Sequence, residues 1–279
     1  MSNVTKKPPS NKRTATKSVD KKKDAQDKET SIVKHPGVFQ DVGLGFEEAE
    51  QDAYAIPFVV VLQNGSPQCN QADGSYVAGA SAGQFFNTAT SELLDEQILV
   101  VPCHYVRKFV EWAPRESGGG FYGSYDVSNV DVNLPRNKSQ QLVLPSGNTL
   151  SDTRYHFCLL MRGHDASPVV IAFAASQLKT SRNWMTAMRN IKILHPKSGE
   201  MVQCPMMLNV WTLKTVNQSN DKGAWKGVRA DFNRRLKLDD EIQVYSMAKD
   251  FHDQIVSGSI RASVPNETFH DGDGGDSAF

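Results

Sequence analysis

Tyr155-His-Phe-Cys-Leu-Leu-Met-Arg162, then Gly-His-Asp-Ala-Ser-Pro, then Val169-Val-Ile-Ala-Phe-Ala174 sets two β-forming runs either side of a turn-forming cluster. Tyr, Phe, Val and Ile suit a pleated, half-buried surface, whereas Gly, Asp, Ser and Pro interrupt it. The stretch therefore predicts an antiparallel hairpin. The pattern recurs outward in both directions, at residues 56–63, 97–112, 202–216 and 228–238, each bounded by Gly, Pro, Asn or Asp. Residues 202–216 predict a second hairpin, returning through the polar segment 217–223. The predicted fold is α+β and β-rich, a twisted antiparallel sheet with one long C-terminal helix and one shorter helix. No five-stranded oligonucleotide-binding barrel is assumed.

The shorter helix is expected to be capped by Thr180 or Ser181 and to run through Ile193, ending ahead of His195-Pro196 because the residue before proline is pushed out of helical geometry. Trp184, Met188 and Ile191 line one side of it, which makes Trp184 a core anchor. Asp239-Asp240-Glu241 places negative charge at the start of the longer helix, which runs to about Ser257 with Gly258 as its stop. Val244, Met247, Ala248, Phe251 and Ile255 form one apolar face, expected to pack on the sheet. No internal repeat is evident.

Three regions follow from composition. Residues 1–34 hold ten Lys or Arg against four Asp or Glu and almost nothing apolar, so they predict a disordered basic arm. Residues 35–264 predict a single β-rich core, long enough to bury a sizeable interior. Residues 265–279 predict a disordered acidic tail, in which Asp271, Asp273 and Asp276 stay solvated and Phe279 offers one apolar anchor beside the terminal carboxylate. Such a tail is built for a partner with a basic rim and an aromatic-sized pocket. The zero formal net charge thus conceals a dipole, and within the core acids slightly outnumber bases. Any nucleic-acid surface there must be a local patch. Nothing resembles a secretion signal or a membrane span. Cys69, Cys103, Cys158 and Cys204 are widely spaced and read as reduced core thiols of a cytoplasmic protein.

Three core segments interleave aromatic and basic residues, as single-strand binding requires. Unpaired bases stack on aromatic rings for about 1–3 kcal/mol each, while Arg and Lys neutralise phosphates. The first holds Arg107, Lys108, Trp112, Arg115, Phe121, Tyr122 and Tyr125 around the glycine run 118–120. Strand alternation sets Arg107 and Lys108 on opposite faces, so this strand cannot present everything to one ligand. The second offers Arg182, Arg189 and Lys192 for phosphates. The third holds Lys222, Trp225, Lys226, Arg229, Arg234 and Arg235, with Trp225 near a hairpin tip and ranked first as a stacking residue.

Catalysis is not expected, nor is a cofactor. No glycine loop is followed by Lys-Ser or Lys-Thr, so residues 118–120 do not form the usual phosphate cradle. Cys103-His104 and His156-Phe-Cys158 could supply zinc ligands, but adjacent residues of a strand point to opposite faces and no Cys-x-x-Cys supports a metal site. His164-Asp165 is more simply turn chemistry.

The acidic, Phe-ended tail resembles those of bacterial and bacteriophage single-stranded DNA-binding proteins. Ile56-Pro-Phe-Val-Val-Val-Leu-Gln63, Gly83-Gln-Phe-Phe-Asn-Thr-Ala-Thr90 and Val110-Glu-Trp-Ala-Pro-Arg-Glu-Ser-Gly-Gly-Gly120 are similar to a group of tailed-phage proteins, the single-stranded DNA-binding RNA polymerase cofactors of the Drc group. That resemblance covers about the middle third. It implies a non-enzymatic phage protein in the cytoplasm of an infected bacterium, which binds melted DNA and recruits a phage RNA polymerase or replication partner through its tail. Related tails compete with DNA for the basic groove. The contrasting expectation is a virion structural protein that ignores oligonucleotides. A duplex-reading regulator is less suited, since no helix-turn-helix with a reading helix is present. Oligomeric state, a homo-oligomer included, is left open by the sequence.

Overall fold

The computed structural model describes residues 1, 44–45, 56–163, 165–221 and 223–260. Of a first unit, Met1–Glu48, it describes only Met1 and a turn at Leu44 and Gly45. The second, Ala49–Phe279, holds twelve described strands and two helices. The basic arm beyond Met1 and the acidic tail lie outside the described residues.

Two long strands form the spine, β4 (Gln97–Trp112) and β7 (Thr149–Arg162), paired antiparallel from Leu99↔Met161 to Trp112↔Thr149. A bulge between Pro102 and His104 places Cys103 out of register, where a proline cannot donate to the ladder. The far edge of β4 is shared by β11 (Asn209–Asn220) at one end and β5 (Phe121–Asp126) at the other. The far edge of β7 is shared by β8 (Asp165–Ala174) and the short β6 (Leu142–Val143). β12 (Gly223–Arg235) completes this seven-stranded sheet beside β11.

Both predicted hairpins form, with tighter turns than expected. Arg162 pairs with Asp165 and Asn220 with Gly223, so only two residues separate the paired strands in each hairpin. The polar segment 217–223 is largely strand, because its side chains pair across the hairpin; Gln218, for example, accepts from Trp225 Nε1 at 2.8 Å. The remaining strands build two small sheets. β1 (Val59–Val61), β2 (Phe85–Asn87) and β3 (Glu92–Leu93) form one, and β9 (Lys192–Leu194) with β10 (Met201–Gln203) the other.

β7 is buried on both faces, and its alternation assigns the two cores. Tyr155, Phe157, Leu159 and Met161 meet one helix, α2 (Leu238–Val256), through Val244, Ala248 and Phe251. Cys158 and Leu160 meet the other, α1 (Leu178–Asn190), through Trp184 and Met188. The described core is thus three layers, helix on sheet on helix, with no closed barrel. Met247 departs from the predicted apolar face and is 41 % exposed, whereas Ile255 packs as expected. Arg234 forks onto Glu241 at the start of α2, at 2.6 and 2.7 Å, and holds that carboxyl down at about 2. The helix stops as predicted, with Gly258 at φ +75°.

α1 differs from its prediction at both ends. It begins at Leu178 with no side-chain cap, because the hydroxyls expected to cap it are engaged elsewhere. Thr180 donates to Val228 O at 3.1 Å, and buried Ser181 bonds His156 Nε2 at 2.8 Å. It ends at Asn190, since Lys192–Leu194 is taken into β9 by pairing with β10.

The outer edge of β12 is closed by side chains. Gln63 donates to Lys226 O at 3.0 Å and accepts from Lys226 N–H at 2.8 Å, as a peptide group of a further strand would. Gln177 accepts from Val228 N–H at 3.0 Å, and Thr180 supplies the donor for Val228 O. Edge groups left open would invite foreign strands. Gln63→Ala removes both bonds at Lys226 and is expected to lower stability by about 1–2 kcal/mol in urea unfolding. An unchanged midpoint would mean water replaces the amide without cost.

Candidate nucleic-acid interface

The sheet divides the aromatic and basic candidates by whether their charge is already matched. At the β4–β5 end, Arg107 forks onto Asp152 with two bonds of 2.9 Å, and its guanidinium lies 5.5 Å from the Phe109 ring centroid. Asp152 also takes two bonds from Arg154, and the two guanidinium groups hold its carboxyl below the usual range against the opposing effect of its burial. Lys108 is bound to Asp126 at 2.7 Å. Trp112 and Phe121 are half-buried and meet edge to face at 6.1 Å. The Tyr125 hydroxyl donates to buried Glu111 at 2.5 Å, which raises its pKa. Tyr122, 69 % exposed, and Tyr125, 37 % exposed, are rings this end offers to solvent. Arg115 opens a short 3-10 turn, and its side chain is not among those described.

On β12, Arg229 pairs with Asp231 at 2.8 Å and Arg234 with Glu241, so neither is an open cation. Trp225 is half-buried, its indole N–H committed to Gln218. Lys226 is half-buried and makes no ion pair among the described residues; a Cβ on Gly83 would lie 3.4 Å from its Nζ. Lys222, with the tail residues Asp271, Asp273, Asp276 and Phe279, lies outside the described residues.

The remaining candidates come together on α1 and the strand that follows it. Arg182 and Arg189 are exposed and seven residues apart, hence on one side of the helix, with Lys179 beside them. Ser181, Trp184 and Met188 take the opposite side and pin the helix to the sheet. The first turn of α1 is fastened to β12 at Val228, and its far end continues into Lys192, whose carbonyl accepts from Arg235 at 2.9 Å. Arg182, Arg189, Lys192 and Arg235 make no ion pair among the described residues. Trp225 stands at the other end of this track, through Gln218, which also accepts from Gln177 at 3.2 Å.

One sequence signal explains why this surface is uncompensated. Between Asp165 and Asp221 the only carboxylate is Glu200, against Lys179, Arg182, Arg189, Lys192, Lys197 and Lys214. A count over the whole core averages that asymmetry away. Lys197 falls outside the segments that interleave aromatic and basic residues, and this local tally would have found it.

A family model described as Pam3 phage gp34-like protein matches residues 26–261, which span all three groups. The chain belongs to that phage protein family. No curated protein and no solved structure matches it. Within the family's matched span, no helix of the described residues is long and apolar enough to cross a membrane. Nor does any cluster of three or more His, Cys, Asp or Glu there have the geometry to hold a metal ion.

Proposed function

We propose that this phage protein binds single-stranded DNA without catalysing a reaction, and holds the strand along the outer face of α1 and β9. The observation that carries the reading is the row Arg182, Arg189, Lys192 and Arg235, cations free of ion pairs among the described residues, in a stretch with one carboxylate. Phosphate binding draws its free energy from releasing counterions, and a cation already matched by a carboxylate releases few. Partly exposed Trp225 and exposed Tyr122 offer rings to bases. The basic arm adds sequence-independent affinity. The tail, through Asp271, Asp273, Asp276 and Phe279, recruits a phage RNA polymerase or replication protein in the cytoplasm of the infected host.

Fluorescence anisotropy with labelled single-stranded and duplex DNA across salt concentration tests this. The single strand is expected to bind more tightly. The triple variant Arg182→Ala, Arg189→Ala, Lys192→Ala should flatten the log–log salt dependence by about 2, at roughly 0.7 for each phosphate no longer neutralised. Arg107→Ala should leave it nearly unchanged, since Asp152 already holds that charge. Equal effects of the two variants, or no binding by the natural chain, would overturn the assignment.

A further inference from the structure

The β9–β10 hairpin presents an apolar pair that the described fold leaves uncovered. Leu194 and Met201 lie directly opposite each other across the two strands and are 63 % and 58 % exposed. Alternation puts Lys192 and Gln203 on the same face, with Ile193 and Val202 half-buried on the other. The connecting loop is braced by its own hydrogen bonds. His195 N–H donates to Glu200 O at 2.8 Å, Gly199 N–H to His195 O at 2.9 Å, and Ser198 N–H to His195 Nδ1 at 3.1 Å. The pair is therefore held out on a fixed backbone.

Charge decides what it meets. Lys192 and Lys197 belong to the hairpin, Arg235 is bonded to its first strand, and Arg189 stands at the end of the preceding helix. Glu200 is the sole carboxylate the hairpin contributes. A phosphate backbone needs such a cationic frame, while an aliphatic pair at its centre fits the gap between two bases. We propose that Leu194 and Met201 act as a wedge that enters between neighbouring bases of the bound single strand and holds them apart. This inference rests on the single-strand reading above.

The test uses the full chain and a single-stranded oligonucleotide carrying 2-aminopurine between adenines. Aliphatic insertion separates the probe from its neighbours without quenching it, so emission should rise on binding, whereas stacking on Trp or Tyr would lower it. The double variant Leu194→Ser, Met201→Ser should still bind by anisotropy but lose most of that rise. Circular dichroism on the same samples should show an unchanged fold, because both side chains face solvent. Binding without a rise, or an equal rise in the variant, would overturn the wedge and leave the single-strand reading standing. No binding by the natural chain would overturn that reading and the wedge with it. A smaller mass for the variant in light scattering would make the pair a contact between copies, and would likewise overturn the wedge.

Discussion

Trp184→Ala is expected to lower the unfolding free energy by about 3–5 kcal/mol, the usual cost of emptying a buried aromatic site. The indole stacks on His156 at 4.6 Å and 13°, and meets Phe173 and Trp211 edge-on at 6.2 and 6.1 Å. No smaller side chain reaches all three rings, and the sheet beneath cannot collapse into the space without bending β7. For a domain of this size a loss of that order lowers Tm by roughly 10 °C. Trp184→Phe should cost less than the alanine change, because the indole N–H it discards is buried with no acceptor among the described residues. Denaturant midpoints of the two variants give the comparison. A loss below about 1 kcal/mol for the alanine variant would show that α1 is not docked through this residue. If α1 carries the DNA, the alanine variant should also bind more weakly, although Trp184 itself is sealed from solvent.

The second large effect is acid sensitivity centred on His156. Its ring is 1 % exposed, stacked on Trp184, bonded to Ser181 and near Arg154, and burial, helped by that cation, lowers its pKa from 6.5 to about 3. The unfolded chain takes up a proton near pH 6.5 that the folded chain refuses until about pH 3. Below pH 6.5 the unfolded state therefore binds more protons, and stability falls as pH falls. Linkage puts the loss from this group at about 2 kcal/mol by pH 5 and about 4–5 kcal/mol over the whole window. His104 acts in the same direction, its pKa lowered by burial and by His252. The carboxylates Glu241 and Asp152, whose pKa values are also depressed, add their losses only below the ordinary carboxylate range. Urea melts at pH 7.5 and pH 5 read the histidines ahead of the carboxylates, and a substitution separates His156 from His104. His156→Gln keeps a hydrogen-bonding group for Ser181 but cannot titrate, so its midpoint should fall less between the two pH values than that of the natural chain. Parallel shifts would place the acid sensitivity elsewhere.

Strand periodicity and the turn clusters made the sheet legible, and β4 runs over the very residues, 97–112, that its composition marks out. Elements went astray where a distant partner outbid the local signal. Thr180 and Ser181 look like helix caps until Val228 and His156 claim their hydroxyls. Residues 217–220 and Gly223 look like a loop until cross-strand pairing draws them into the ladder. Site residues divide in the same way. Arg182 and Arg189 could be singled out because helical spacing separates them from the Trp184 face, whereas Lys192, expected on the same helix, pairs in β9. Arg107, Arg229 and Arg234 looked equivalent to them in the sequence. Their pairing with Asp152, Asp231 and Glu241 depends on strand register and turn geometry, which spacing along the chain does not encode.

The glutamine that closes the β12 edge also bears on the order of assembly during synthesis. Gln63 and Lys226 are 163 residues apart in the chain. The strand beside Gln63, with Val59 only 2 % exposed in the finished fold, leaves the ribosome long before its final neighbours exist. Contacts of such separation form slowly and late. The nascent chain must keep an apolar strand out of trouble until β12 has emerged, so a truncation before residue 226 should yield an aggregating fragment and not a smaller folded domain.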